Sequence, residues 1–188
     1  QAKLAATLRT TGQFSRAYLN ELLALADAQQ RATKFSSEGI IAAQNQLIAF
    51  GASRKEVLLL TPAILDLAEG SGNDLTASAF MVAKALDGQT TALKRAGLQI
   101  KENIPASERY AAIQEAINQK YGGQAVAAAN TYAGAIIGVA TGYGELLRAL
   151  GEYVTKNAQV LAVLHTVADK LFDASDAVRG AEGAVRDF

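Results

Sequence analysis

The sequence predicts an all-α protein with extended or bundled helices, turns marked by glycine and no β-sheet. Half of its 188 residues are apolar, and 39 of them are Ala, the residue most favourable to helix. Apolar residues also recur at steps of three and four through most of the chain, which is the spacing of one helix face. No segment shows the sustained alternation of apolar and polar residues that is typical of a strand.

Polar caps and glycines mark the expected helix ends in residues 1–50, which we assign as an N-terminal helical segment. Aromatic and leucine residues at helical spacing predict a first helix over about Phe14–Phe35. Ser36 and Ser37 follow as candidate caps of a second helix. Gly51 stands where the C-terminal cap of that helix belongs.

Residues 51–121 form a second helical segment that opens with a capping box. In Ser53-Arg54-Lys55-Glu56, the serine hydroxyl and the glutamate carboxylate can each accept a backbone N–H of the first turn. Thr61-Pro62 interrupts this helix, either as a kink or as a fresh cap with proline at the first helical position. After a loop at residues 70–73, we expect Asp74 to cap the next helix and Gly88 to end it.

Shorter elements complete that second segment. Thr91 can cap a short turn that stops at Gly97. Residues 98–105 are expected to be irregular or extended. Ser107 restarts a helix, and the pair Gly122-Gly123 ends or bends it.

Residues 122–188 form the third segment, a Gly/Ala-rich helix followed by an amphipathic helical stretch. Residues 121–144 contain no charged side chain. From Glu145 to Phe188, apolar residues return at three- and four-residue steps, which predicts amphipathic helix.

Gly134, Gly138 and Gly142, the glycine row, lie at four-residue intervals and are the candidate helix-contact residues. On a helix they form one groove that a second helix can approach closely, which offsets the roughly 1 kcal/mol that each glycine costs. The alternatives are a flexible hinge and a segment that enters a bilayer as an oligomer. The 24 uncharged residues exceed the roughly 20 that span a membrane, but their many alanines and glycines make insertion marginal. We favour close packing outside the bilayer.

The charge balance and the residue types exclude several functions. Lys and Arg together number 18, and Asp and Glu together also number 18. No run of basic residues is longer than two. A chain of zero net charge has no long-range attraction for polyanions, so we expect no sequence-specific nucleic-acid binding. The chain has no Cys, which excludes disulfides, thiolate metal ligands and cysteine nucleophiles.

Catalytic arrangements are scarce. His165 is the single histidine, so a two-histidine metal site is impossible within this chain. It stands four residues before Asp169, where a helical pair could form a salt bridge or half of a metal site. We interpret it as a partly exposed helical histidine. Gly142-x-Gly144 lacks the third glycine and the preceding strand of a dinucleotide fingerprint. We therefore predict no catalytic residue, no cofactor, no metal and no enzymatic activity.

A series of short phrases resembles the core of bacteriophage tail tape measure proteins, a family of minor tail proteins. The phrases span roughly residues 40–155. They are Gly51–Val57, Leu60–Ala68, Asp74–Ala79, Ala85–Gly88, Leu93–Leu98, Tyr121–Ala125 and Ala127–Thr131 with Gly134, leading to Glu145-Leu146 and Gly151.

The resemblance implies a long, mainly helical structural protein, present in several copies in the lumen of a long-tailed phage's tube or at its tip. Such a protein sets tail length and helps the genome through the host envelope. Implied partners are further copies of the chain, the tail tube, tail tip and tail-assembly chaperone proteins, and the host membrane during ejection. Tape-measure chains usually have many hundreds of residues, so the resemblance also implies that this chain is a fragment. Some members contain a wall-cutting domain, of which no residues are visible here.

Two other functional classes remain open from the sequence. A helical pore-forming protein or translocator would also need amphipathic helices beside one uncharged Gly/Ala segment, and lysis by the free chain would indicate it. A helical ligand-binding sensor bundle is the third class. A compact monomer with a saturable small-molecule site would support it.

Overall fold

The computed structural model describes residues 2–101, 103–154 and 167–172. The regular elements in these ranges are all α-helices, so the all-α prediction is confirmed. The helices are α1 (Ala2–Thr10), α2 (Arg16–Ala32), α3 (Ser37–Ala49), α4 (Arg54–Ser71), α5 (Leu75–Leu86), α6 (Thr91–Arg95), α7 (Ala106–Tyr121), α8 (Gln124–Ala129) and α9 (Tyr132–Val154). Residues 167–172 are also helical.

The chain divides into two compact units, residues 1–141 and 142–188. In the first unit, α3 packs against α2 and α5, while α4 packs against α5, α7 and α8. Large aliphatic side chains such as Leu22, Leu47 and Ile64 are completely buried between these helices. Burying such side chains is the main stabilising contribution to a helical core. In the second unit, the described residues, 142–154 and 167–172, are helical.

Side-chain caps fix the starts of several helices where the sequence predicts them. The Ser53–Glu56 capping box is complete: the Ser53 hydroxyl accepts the Glu56 N–H at 3.4 Å, and the Glu56 carboxylate accepts the Ser53 N–H at 2.7 Å. Ser36 caps α3 by accepting the Gly39 N–H, and Asp74 caps α5 by accepting the Ala77 N–H. Each cap satisfies a backbone donor that has no partner within its own helix.

Glycines end helices as expected, because each adopts the left-handed conformation just beyond a helix. Gly51, Gly88 and Gly97 have φ angles of 84°, 91° and 80°. Residues with a side chain rarely adopt such positive φ angles, so glycine is favoured there. In this conformation, the backbone N–H groups that follow the helix can donate to its last carbonyl groups.

Three local predictions are corrected by the structure. The first long helix begins at Arg16 after an N-cap at Ser15, whose hydroxyl accepts the Tyr18 N–H, and it ends at Ala32. Phe14 and Phe35 therefore lie outside it. Thr91 is not a cap: it is the first residue of α6, and no side chain caps that short helix.

The third correction concerns Thr61-Pro62, which does not start a fresh helix. Helix α4 runs through Pro62, and the Thr61 hydroxyl donates to the Val57 carbonyl oxygen at 2.6 Å. Leu60 and Ile64, on either side of the proline, are both completely buried. Burial of both halves in one core compensates for the backbone hydrogen bond that proline cannot make.

Two buried polar side chains differ in how they are satisfied. Gln44 is completely buried and donates from Nε2 to the Leu22 carbonyl oxygen at 3.1 Å, which joins α3 to α2. The Tyr18 hydroxyl is buried and has no hydrogen-bond partner within the described residues. Burial is the main cause that raises the pKa of Tyr18 to about 12; the Glu21 carboxylate also raises it, and Arg54 lowers it.

Candidate functional site

Among residues 2–101, 103–154 and 167–172, no group of three or more His, Cys, Asp or Glu side chains is placed to hold a metal ion. His165 lies outside these ranges. Its relation to Asp169 therefore stays a prediction from spacing. The candidate site is instead the helix-contact region, which starts where α4, α7 and α8 meet.

Asp66 fixes the start of α8 from a distance in sequence. Its two carboxylate oxygens accept the backbone N–H groups of Gly123 at 3.0 Å and Ala125 at 2.9 Å. The N-cap position of α8 is Gly123, which has no side chain of its own to cap the helix. A carboxylate beside the first N–H groups of a helix is favourable for both hydrogen bonding and charge. Asp66 therefore acts as the cap that the local sequence lacks.

The last turn of α7 closes the same junction. The Tyr121 ring lies against Gly70 of α4 so closely that a Cβ atom on Gly70 would collide with it. The Tyr121 hydroxyl donates to the Ala96 carbonyl oxygen at 2.7 Å, and Lys120 Nζ donates to the same oxygen at 3.0 Å. These two side chains supply partners to a carbonyl just beyond α6, where its helical partners are missing.

Gly134 occupies a close contact within the chain. The Thr131 hydroxyl accepts the Gly134 N–H at 3.1 Å and donates to the Ala128 carbonyl oxygen at 2.7 Å, which sets the turn between α8 and α9. A Cβ atom on Gly134 would collide with the backbone of Ala128 and Ala129. Glycine is therefore required at residue 134 by its own chain.

The other two members of the glycine row are placed differently. A Cβ atom on Gly138 or on Gly142 would meet no atom within 4 Å in the part of the chain that the structure describes. Within the described residues, Gly134 is therefore packed against the chain, whereas Gly138 and Gly142 are not. Gly138 and Gly142 leave room for another helix, and the predicted helix contact at these two positions stays a prediction.

Helix α9 also exposes large apolar side chains, a feature that the sequence analysis missed. The exposed fraction is 52% for Ile136, 74% for Val139, 47% for Tyr143 and 54% for Leu146. Their spacing of three and four residues was available in the sequence and could have identified them as one set. No helix within the described ranges is long and apolar enough to cross a membrane.

A cavity of about 330 Å³ lies beside α5, α6 and the start of α7. Its lining includes three basic side chains, Lys94, Lys101 and Arg109, together with Thr90 and Thr91.

Hydrogen bonds hold one of these basic groups in place. The Arg109 guanidinium donates to the Leu86 carbonyl oxygen at 3.0 Å and to the Ile104 carbonyl oxygen at 3.1 Å. It thereby joins the end of α5 to the irregular stretch before α7. A cavity with this lining favours a small anionic ligand over a cationic one.

Comparison of the chain with protein-family models, with curated proteins and with solved structures gives no match.

Proposed function

We propose that this protein is a structural component of a long-tailed phage tail, of the tape-measure type, which self-associates and is not an enzyme. It would lie in the tail lumen or at the tail tip and contact the tail tube, tail tip and tail-assembly chaperone proteins. It would reach the host envelope when the genome is delivered. The sequence resemblance supports this assignment, and the exposed apolar side chains of α9 are the structural observation on which it depends.

Residues within the resembling phrases have identifiable structural roles. Ser53 and Glu56 form the capping box of α4, Asp74 caps α5, and Asp66 caps α8 from α4. Gly134 permits the turn that leads into α9. Several of the phrases therefore contain a residue that sets a helix start or a junction between helices.

Exposed apolar side chains on α9 support a role in assembly. Contiguous apolar surface is unfavourable in water and marks interaction sites when it is retained. A helical structural protein that works in several copies needs exposed apolar side chains, and Ile136, Val139, Tyr143 and Leu146 are each exposed.

Tail length in an infectious phage tests the tape-measure assignment. Repeating residues 133–153 twice more within the phage gene adds 42 residues, which as helix would lengthen the tail by about 63 Å. Electron microscopy would measure tail length against a synonymously recoded control gene. Tails of unchanged length would contradict the ruler function, and absence of the protein from purified tails would contradict the whole assignment.

The basic cavity favours the ligand-binding bundle as a second candidate function. Titration with inorganic phosphate and with a small dicarboxylate, followed by calorimetry, would test it. Saturable binding by a monomeric chain that is lost in Lys101→Ala would support a sensor and argue against the tail assignment. Release of dye from lipid vesicles by the free chain would instead support the pore-forming alternative.

A further inference from the structure

The basic cavity beside α5, α6 and the start of α7 is apolar where its lining is buried and basic where its lining is exposed. Its buried lining residues are Ala85, Ile100 and Ile113. Lys94 and Lys101 also line it and are exposed. Its volume of about 330 Å³ lies at the lower end of the roughly 300 to 1,000 Å³ that is typical of ligand pockets. The cavity is therefore large enough for a small organic molecule.

The charged residues that line this cavity are all basic. No acidic side chain is among its lining residues in the part of the chain that the structure describes. Two nearby glutamates, Glu108 and Glu115, line a neighbouring cavity, which also has Lys101 in its lining. The lining of the basic cavity therefore attracts an anion and repels a cation.

Arg109 is held in a fixed orientation at the cavity. Its Nε donates to the Ile104 carbonyl oxygen and its Nη1 to the Leu86 carbonyl oxygen. These bonds use two of the five N–H donors of a guanidinium. Gly88 leaves space for this group, because a Cβ atom there would lie 3.4 Å from Cζ of Arg109. The remaining donors of a fixed guanidinium suit a carboxylate, and little side-chain order has to be gained when the ligand binds.

Asn103 adds a polar group to the lining from an unusual backbone conformation. Its φ angle of 61° is the one positive φ angle of a non-glycine residue in the described ranges. Residues with a side chain rarely adopt this conformation, and where they do, the position is frequently part of a binding site. The Asn103 side chain contains both a donor and an acceptor for a ligand at the cavity.

We infer that the basic cavity binds a small organic carboxylate with an apolar body of a few carbon atoms. Arg109 and Lys101 bind the carboxylate group, and the apolar body contacts Ile100 and Ile113. The inference rests on the second candidate function, the ligand-binding bundle, and specifies the class of its ligand.

The two parts of the lining select against other small ligands. Inorganic phosphate would be bound by the basic side chains, but it has no apolar body to cover the buried isoleucines. A neutral apolar molecule would cover them, but it would leave the basic side chains without a counter-charge. A carboxylate with an apolar body satisfies both parts, as is typical of pockets with an apolar lining and a few polar groups that fix the ligand.

Benzoate and benzamide provide a matched pair of probes, because they have the same ring and differ in charge. In nuclear magnetic resonance titrations of the full chain, we expect benzoate to bind with a dissociation constant on the order of 1 mM, as a ligand of this size allows. Benzamide and inorganic phosphate should each bind at least about tenfold more weakly. Similar affinity for benzoate and benzamide, or tighter binding of phosphate than of benzoate, would overturn the inference.

Isoleucine methyl resonances locate the bound probe. Benzoate should shift the resonances of Ile100 and Ile113, which line the cavity. It should leave those of Ile48 and Ile64 unchanged, since these residues are buried in the core and are not among the lining residues of the cavity. Shifts at Ile48 and Ile64 without shifts at Ile113 would place the probe elsewhere and overturn the inference.

Two exposed lysines provide matched variants. Lys101→Gln should raise the dissociation constant of benzoate at least about fivefold, because it removes a positive charge from the cavity. Lys3→Gln, on α1 and exposed, should change it by less than about twofold. Equal effects of the two substitutions would overturn the inference. Failure of benzoate alone would leave the ligand-binding bundle to the phosphate and dicarboxylate titrations, and the tail assignment to the measurement of tail length.

Discussion

The Oδ1 atom of Asp66 accepts the backbone N–H of Ala125 at 2.9 Å, although 59 residues separate the two along the chain. Asp66 lies on α4, and Ala125 is in the first turn of α8. Through this bond and the matching one to Gly123, a core helix fixes the direction in which the chain leaves α7. The turn into α9 follows directly.

Replacing Asp66 should loosen that junction. We expect Asp66→Ala to lower the free energy of unfolding by about 1–3 kcal/mol, because two N–H groups at the start of α8 lose their partner. Urea denaturation would measure the change, and hydrogen exchange should show faster exchange at Gly123 and Ala125. Asp87→Ala, at an exposed aspartate just after α5, is the control and should stay within about 0.5 kcal/mol.

Gly70→Ala should destabilise the contact between α4 and α7. The added methyl group would collide with the Tyr121 ring in a packed interior, at a cost of about 1–3 kcal/mol. Gly39→Ala is the matched control, since its Cβ would be in ordinary contact with Leu75 and Ser36. Alanine there should be neutral or stabilise the protein by up to about 1 kcal/mol. Thermal and urea unfolding of both variants would compare them. Equal effects would contradict the contact with Tyr121.

Tyr18→Phe should raise stability, whereas Tyr121→Phe should lower it, each by about 1 kcal/mol. The Tyr18 hydroxyl is buried without a hydrogen-bond partner among the described residues, so its removal relieves a desolvation penalty. The Tyr121 hydroxyl donates to Ala96, so its removal loses a hydrogen bond. Unfolding free energies near neutral pH would separate the two.

The raised pKa of Tyr18 also predicts a loss of stability in alkali. Its pKa is about 12 in the folded chain, against 10.0 ordinarily, so the unfolded chain releases the proton first. Titration of Tyr18 therefore leaves the stability of the protein unchanged below pH 10 and lowers it as the pH rises towards 12, by about 1 kcal/mol at pH 11. In Tyr18→Phe, urea unfolding between pH 9 and 11.5 should lack this part of the decline. An unchanged pH dependence would contradict it.

The glycine row predicts a helix contact at Gly138 and Gly142. Gly138→Leu should weaken assembly, because a side chain there separates the approaching helix from α9. Gly138→Ala is the control and should assemble nearly as the wild type does. If Gly138 serves as a hinge instead, alanine should already impair function by stiffening the helix. Oligomer mass, tail length and infectivity of both variants would distinguish the close contact from the hinge. If Gly138→Leu assembled and infected as the wild type does, the close-contact model would be eliminated.

Local signals predicted the capped starts of α3, α4 and α5, because a capping hydroxyl or carboxylate lies within a few residues of the N–H that it satisfies. Ser36, Ser53 and Asp74 behave in this way. The continuity of α4 through Pro62 was not predictable from the local sequence. Proline usually ends a helix, and α4 continues because the residues on both sides of Pro62 are buried in the same core. The placement of the glycine row likewise depended on which residues α9 approaches.

The sequence by itself determined the helical class, the capped starts of α3, α4 and α5 and the glycine-ended helices. Each follows from interactions over a few residues or from periodicity along one helix. Only the tertiary structure decided that Asp66 caps α8, that Gly70 and Tyr121 are in contact, and that the apolar side chains of α9 are exposed. These features join residues far apart in the chain, and a local pattern contains no information about which distant partner satisfies a backbone group or covers an apolar face.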